Sequence, residues 1–109
     1  MMTLESYQEQ KALISSADIQ LLISEGFGDC TDFRNFALTY AHENVDHEVF
    51  EIHCGYAIDE HENPIKEKGL AVFATVSTWK DCASCLGQFD TVQDAIYAVQ
   101  QHDIYKSEE

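Results

Sequence analysis

The sequence predicts an α+β fold: an antiparallel sheet of three to four strands, covered on one face by an N-terminal helical segment and a C-terminal helix. Apolar residues recur every three or four positions near both ends of the chain, which is typical of amphipathic helices. Between these segments, apolar and polar residues alternate as they do in strands. Short polar turns separate the strands and favour antiparallel pairing, because a parallel pair needs a long crossover.

Residues 3–25 are the N-terminal helical segment. Ser15 with Asp18 resembles a capping box, so the segment is expected to divide into two short helices, the second near 16–25. Gly26 followed by Phe27 fits a Schellman-type helix end, in which the glycine takes the left-handed conformation. Residues 28–32 are predicted to form a turn.

Three segments carry the strand pattern, at 36–42, 49–58 and 69–79. The second is the clearest, because Phe50, Ile52 and Cys54 alternate with more polar neighbours and therefore share one face. The third is rich in residues that favour strands, and a short fourth strand fits near 85–89. Residues 59–64 form a polar turn that contains the only proline of the chain.

The C-terminal helix is predicted at about 91–102, followed by a charged, frayed tail from Lys106. Asp90 or Thr91 can cap it. Its apolar stripe consists of Val92, Ala95, Ile96 and Val99. The apolar face of the sheet needs cover, and the helices supply it. A chain of 109 residues is expected to form a single domain, 1–109.

The charge balance limits the kinds of partner. There are 20 Asp and Glu residues against 6 Lys and Arg, which gives a formal charge of −14. Direct binding of nucleic acid is not expected, since phosphate contacts require clustered Lys and Arg. Anionic membrane surfaces are disfavoured for the same reason. No targeting segment is recognisable at the start, so we expect a cytoplasmic protein with reduced cysteines.

The acidic residues are concentrated in one part of the chain. From Asn35 through Ile65 there is no Lys or Arg. Residues two apart on a strand stand about 6.6–6.8 Å apart on one face, comparable to the step between phosphates of a nucleic-acid strand. A hairpin with such a row would fit an Arg- and Lys-rich surface that normally holds nucleic acid. The candidate partner-binding residues are Glu43, Asp46, Glu48, Glu51, Asp59, Glu60 and Glu62.

The segment Cys82-Ala83-Ser84-Cys85 is a candidate metal site. Two thiolates at this spacing can bind one tetrahedral zinc ion, with two further ligands from elsewhere in the chain. The same spacing occurs in redox dithiols, although these begin a helix in a βαβ unit, a pattern that this sequence lacks. The remaining interpretation is two cysteines without a special role. The expectation is therefore no cofactor, with zinc as the alternative.

Histidines also cluster, with four of the five between residues 42 and 61. Mixed imidazole and carboxylate groups can bind transition metals, but exposed polar residues on turns are the simpler interpretation. Acidic neighbours should favour the protonated histidines. No nucleophile elbow, phosphate-binding loop or metalloprotease motif is present, so no enzyme is predicted. A small ligand-binding pocket around Tyr40, Tyr56 or Trp79 is a further alternative to core packing of these rings.

In its short length, strong acidity and compact α+β pattern, the chain resembles small phage-encoded inhibitors that imitate nucleic acid, anti-CRISPR proteins among them. The resemblance is one of composition over the whole chain and rests on no shared motif. It implies a non-enzymatic binding protein that blocks a positively charged nucleic-acid-binding protein or complex of bacterial defence, in the bacterial cytoplasm. The alternative is a small zinc-stabilised domain with Cys82 and Cys85 as ligands.

Overall fold

A computed structural model describes residues 3–32, 37–45, 47–61, 63–77 and 84–107, with backbone alone for Ile58 and 103–107. The fold is α+β, with helices before and after an antiparallel sheet, as predicted. The described elements are α1 (Leu4–Leu13), α2 (Ser16–Ser24), β1 (Gly28–Asp29), β2 (Leu38–Glu43), β3 (Val49–Ile58), β4 (Pro64–Ser77), β5 (Ser84–Phe89) and α3 (Val92–Ser107).

The sheet has five strands in the order β1-β2-β3-β4-β5, one more than the upper limit predicted from the sequence. The additional strand is β1, which lies in the segment predicted to be a turn. Gly28 pairs with Ala41 and Asp29 with Tyr40. Two residues carry too little alternation to be recognised as a strand, so β1 is defined by its partner in β2 and not by its own pattern.

Strand β3 has the predicted bounds and forms the centre of the sheet. Its residues Phe50, Ile52 and Cys54 are completely buried. Across the sheet, Ile52 is the register partner of Tyr40 on one side and of Ala74 on the other. These residues join the buried side chains of α2 and α3 in one core, which includes the whole predicted stripe of α3: Val92, Ala95, Ile96 and Val99.

The helix ends follow the sequence signals. Ser15 Oγ accepts from the backbone N–H of Asp18 at 3.1 Å and separates α1 from α2. Phe27 N donates to Leu22 O at 2.9 Å and Gly26 N to Ile23 O at 3.1 Å, which are the two bonds of a Schellman motif. Gly26 has φ 91°, as that motif requires. Thr91 is the residue that caps α3, since its Oγ1 accepts from Asp94 N at 3.1 Å.

Helix α1 is attached to the sheet mainly by polar contacts. Gln10 is its buried residue, and Gln10 Oε1 accepts the backbone N–H of Tyr56 at 3.2 Å. A side chain at Gly55 would collide with this same amide oxygen. Next to it, Glu9 Oε2 accepts from Tyr56 Oη and from Lys66 Nζ, both at 3.3 Å. The position of α1 therefore depends on hydrogen bonds more than on apolar burial.

Strand β4 begins at Pro64, five residues earlier than predicted, because its first residues continue the hairpin with β3 beyond a wide bulge. Tyr56 pairs with Leu70 and Ala57 with Ile65, so residues 66–69 have no register partner in β3. Helix α3 likewise extends to Ser107, past the predicted fraying point. Within the described residues, no helix has the length and apolar character needed to cross a membrane.

Candidate functional site

The predicted carboxylates lie in two groups at opposite ends of β3. Glu43 and Glu48 belong to the turn that precedes the strand, and Asp59 and Glu60 to the turn that follows it. The ten residues of β3 separate these turns by about 30 Å. Glu51 lies within the strand, near its first end. Asp46 and Glu62 fall outside the described residues.

The turn before β3 is closed by a reciprocal contact between Asn44 and Glu48. Asn44 N donates to Glu48 O at 3.0 Å, and Glu48 N donates to Asn44 Oδ1 at 2.9 Å. Asn44 Nδ2 in turn donates to the carboxylate of Glu48 at 3.0 Å. Glu48 is only 4% exposed. Its carboxylate therefore supports the turn and does not present its charge on the surface.

Three other described side chains of this turn, those of Glu43, Val45 and His47, are exposed to solvent. Glu43 is exposed and accepts from His47 Nδ1 at 2.9 Å. His47 has φ 62°, a left-handed conformation that is unfavourable for a residue with a side chain. Val45, at the tip, is almost completely exposed. Among the described residues, this end of the sheet presents carboxylate, imidazole and one apolar group, but no lysine or arginine.

The turn after β3 is built around Asp59. Its Oδ1 accepts from Asn63 N at 2.9 Å and from His61 N at 2.8 Å. The bond from Asn63, followed by that from His61, lowers the pKa of Asp59 below its ordinary value, since both stabilise the carboxylate. Lys66 and Lys68 follow closely on β4, so cations accompany the acids at this end.

One face of the sheet is turned away from the core, and Glu51 and His53 lie on it with Thr39 of β2 and Thr75 of β4. His53 Nε2 is 3.2 Å from Glu51 Oε2 and 3.4 Å from Thr75 Oγ1, while Nδ1 is 3.2 Å from Thr39 Oγ1. The side chains of His53 and Glu51 are 25% and 35% exposed. We call these four residues the His53 cluster.

Burial lowers the pKa of His53, and the nearby charge of Glu51 opposes this effect only in part. The expectation that acidic neighbours favour protonated histidines is therefore wrong for His53. The reason is that the ring lies between three strands, where loss of water outweighs the attraction of one carboxylate. Neither Thr39 nor Thr75 was identified from the sequence, because their role depends on the register of strands distant in sequence.

The candidate metal ligands give no complete site. Cys82 lies outside the described residues, and Cys85 is exposed on β5 opposite Thr75. Burial raises the pKa of Cys54 to about 12 and, together with Glu51, also raises that of Cys30. Both thiols are therefore protonated and weakly nucleophilic at neutral pH. Within the described parts of the chain, no three His, Cys, Asp or Glu residues are grouped so that they could hold a metal ion.

Of the three aromatic residues considered for a pocket, the two that the structure describes have separate environments. Tyr40 is buried in the core, where burial and the charge of Asp29 raise its pKa to about 12. The ring of Tyr56 lies under Lys66 Nζ, 5.6 Å from the ring centre. Trp79 falls outside the described residues. Tyr40 and Tyr56 thus serve packing and the attachment of α1.

Comparisons of this chain with protein-family models, with curated proteins and with solved structures give no match.

Proposed function

We propose that the protein is a non-enzymatic binding protein whose acidic surface occupies the nucleic-acid-binding site of a cationic protein. In this proposal it is a phage inhibitor of a bacterial CRISPR–Cas or other defence complex and acts in the bacterial cytoplasm. The formal charge of −14 supports a cationic partner, because complementary charge accelerates association and selects against anionic surfaces.

The observation that carries the proposal is the position of Glu43 and Glu51. Both lie on the sheet face that is turned away from the core, which we call the open face, at the N-terminal end of β3. Glu43 pairs with Val49, and Glu51 follows Val49 by two residues on the same face. Such diagonal neighbours are about 7–8 Å apart, comparable to successive phosphates of a nucleic-acid strand. The described lysine side chains, Lys11, Lys66 and Lys68, belong to α1 and to the wide bulge near the other end.

This geometry selects among the five candidates that the structure describes. Glu43 and Glu51 are the proposed contacts. Glu48 is left out because its carboxylate is buried against Asn44. Asp59 and Glu60 form a second acidic group, about 30 Å away, near which Lys66 and Lys68 follow on β4. A partner would engage the first end of β3 more strongly than the second.

The test compares two double variants with the same change in charge. Glu43→Lys with Glu51→Lys alters the first end, and Glu60→Lys with Glu67→Lys alters the exposed residues at the second end. Purified guide-loaded Cas effectors of several types are assayed for DNA binding with each protein at low and high salt. The unaltered protein should inhibit at least one effector, and added salt should weaken the inhibition.

The first double variant should bind the inhibited effector at least about tenfold more weakly, because each attraction becomes a repulsion. The second should stay close to the unaltered protein. Equal losses in both variants would indicate that only total charge matters, and undiminished inhibition by the first would contradict the assignment of Glu43 and Glu51. If no effector is inhibited even at low salt, the proposed target class is wrong.

A further inference from the structure

We propose that the His53 cluster is a proton switch that controls the charge of the proposed binding face, so that protons and a cationic partner compete. The inference rests on the proposed function and adds a regulation to it. Its structural basis is that both ring nitrogens of His53 are engaged by named partners, and that one of these partners has two alternative hydrogen bonds.

The contacts determine which nitrogen carries the hydrogen in the neutral ring. The carboxylate of Glu51 lies 3.2 Å from Nε2 and attracts a hydrogen there, which Thr75 Oγ1, 3.4 Å from Nε2, can accept. Nδ1 is then an acceptor, and the hydroxyl of Thr39 donates to it across 3.2 Å. In this state Glu51 keeps its full negative charge.

A second proton changes the direction of one bond. When Nδ1 gains a proton from solvent, it becomes a donor to Thr39 Oγ1, and the hydroxyl hydrogen of Thr39 must leave the ring. The carbonyl oxygen of Ala37, at 3.4 Å from Thr39 Oγ1, is there to accept it. The side chain of Thr39 needs no new rotamer for this exchange, since both contacts exist in one arrangement.

Protonation makes His53 and Glu51 an ion pair with no net charge. The face then keeps Glu43, whose carboxylate contacts His47 Nδ1 at 2.9 Å, as its other carboxylate, and attraction for a cationic surface falls. By linkage, a cation bound next to Glu51 makes the second proton harder to add, since it repels the imidazolium. The two ligands of the cluster, proton and partner, therefore oppose each other.

Among the residues that the structure describes, few other charged groups face His53. On β3 the facing titratable group is Glu51, and on β2 Glu43 lies further along the same face. From β4, Thr75 and Phe73 face the ring region and do not titrate. Cys30, whose N–H donates to Thr39 O, and Cys85, opposite Thr75, complete the neighbourhood. The raised pKa of Cys30 keeps it an uncharged thiol at neutral and acidic pH.

The switch can be observed without a partner by NMR of the imidazole nitrogens over pH 4.5–8. The neutral ring should carry its hydrogen on Nε2, and the midpoint of protonation should lie below 6.5, the ordinary value. Glu51→Gln should move the midpoint lower, because the imidazolium loses its counter-charge. Thr39→Val, which keeps the shape and removes the acceptor, should do the same.

The switch would be contradicted if the neutral ring carried its hydrogen on Nδ1, or if both variants had the same protonation midpoint as the unaltered protein.

The coupling of the switch to the binding face is tested with a deca-lysine peptide at low salt, by fluorescence anisotropy at pH 5 and pH 8. Acidification should raise the dissociation constant more for the unaltered protein than for His53→Gln, by a further factor of about two to five.

Equal pH dependence in the two proteins would contradict the coupling. A failure of the proposed function has a different signature. In that case the ring nitrogens still titrate as expected, while Glu43→Lys with Glu51→Lys inhibits the defence effector as well as the unaltered protein does. The ring measurement and the effector assay therefore distinguish the two proposals.

Discussion

The two faces of β3 contrast within a single strand. Phe50, Ile52 and Cys54 are completely buried against the helices, whereas Glu51 and His53 between them are partly exposed, and His53 is hydrogen-bonded to Thr39 and Thr75 of the neighbouring strands. One face is filled by apolar contact and the other by polar pairs whose state depends on protons. Most of the stability is therefore expected to come from the buried face, and the proposed binding chemistry from the opposite face of the same strand.

The largest effect on stability is expected from a substitution on the buried face of β3. Phe50→Ala removes a ring that is 0% exposed and that contacts His102 edge-on at 5.8 Å between centres. We expect the free energy of unfolding to fall by about 3–5 kcal/mol, measured by urea denaturation. The adjacent, partly exposed Val49 is the control, and Val49→Ala should cost about 1 kcal/mol. Similar losses of unfolding free energy at positions 49 and 50 would mean that the two faces of β3 contribute equally to stability.

The next effect concerns the turn that leads into β3, where a carboxylate is buried. Glu48→Ala leaves the amide of Asn44 without this acceptor, so we expect a loss of about 1–3 kcal/mol in urea denaturation. Glu43→Ala, in the same turn but exposed, should change stability by about 0.5 kcal/mol or less. If Glu48→Ala left the unfolding free energy unchanged, the buried carboxylate would not be what stabilises the turn.

On the open face, stability should depend on pH through His53. Its pKa is lowered in the folded protein, so the unfolded chain takes up the proton first as the pH falls. Stability is therefore fully present above about pH 6.5 and declines as the pH falls from there towards the folded pKa. Unfolding free energies measured in urea at pH 5–8 should decline less for His53→Gln. An identical decline in both proteins would show that His53 is not the group responsible.

The smallest expected effect is a gain at the turn before β3. His47 has φ 62°, and glycine adopts this conformation without steric cost. His47→Gly should raise the unfolding free energy by about 0.5 kcal/mol, after subtraction of the greater freedom of glycine in the unfolded chain. The same substitution at His61, which has no positive φ, should give no gain. Differential scanning calorimetry can compare the two melting temperatures.

Sequence patterns predicted most of the architecture because the signals are local. The alternation in β3, the Schellman end of α2 and the apolar stripe of α3 each depend on neighbours within a few residues. Strand β1 and the early start of β4 were missed, since both depend on pairing with a distant strand. The two-residue strand Gly28–Asp29 exists only through Ala41 and Tyr40.

The candidate site was less predictable than the fold. The predicted bounds of β3 already place the carboxylates at 43–48 and at 59–62 on opposite sides of the strand, but the predicted single row disregarded this separation. The burial of Glu48 and the pairing of His53 with Thr39 require the register of the sheet and the shape of the turn. The positions of charged residues along the sequence therefore give the overall charge, whereas the charges that the surface presents depend on strand pairing and on burial.

The contact between Gly55 and Gln10 has a consequence for how this sequence can diverge. The amide of Gln10 fills the space that any side chain at position 55 would need, although 45 residues separate them along the chain. A methyl group at position 55 requires the Gln10 side chain to move away and Ala37, whose Cβ would lie 3.0 Å from it, to shift slightly. Such a change also gives up the bond to Tyr56 N. In homologous sequences the two positions should therefore vary together, and a designed library that randomises one without the other should lose the attachment of the first helix.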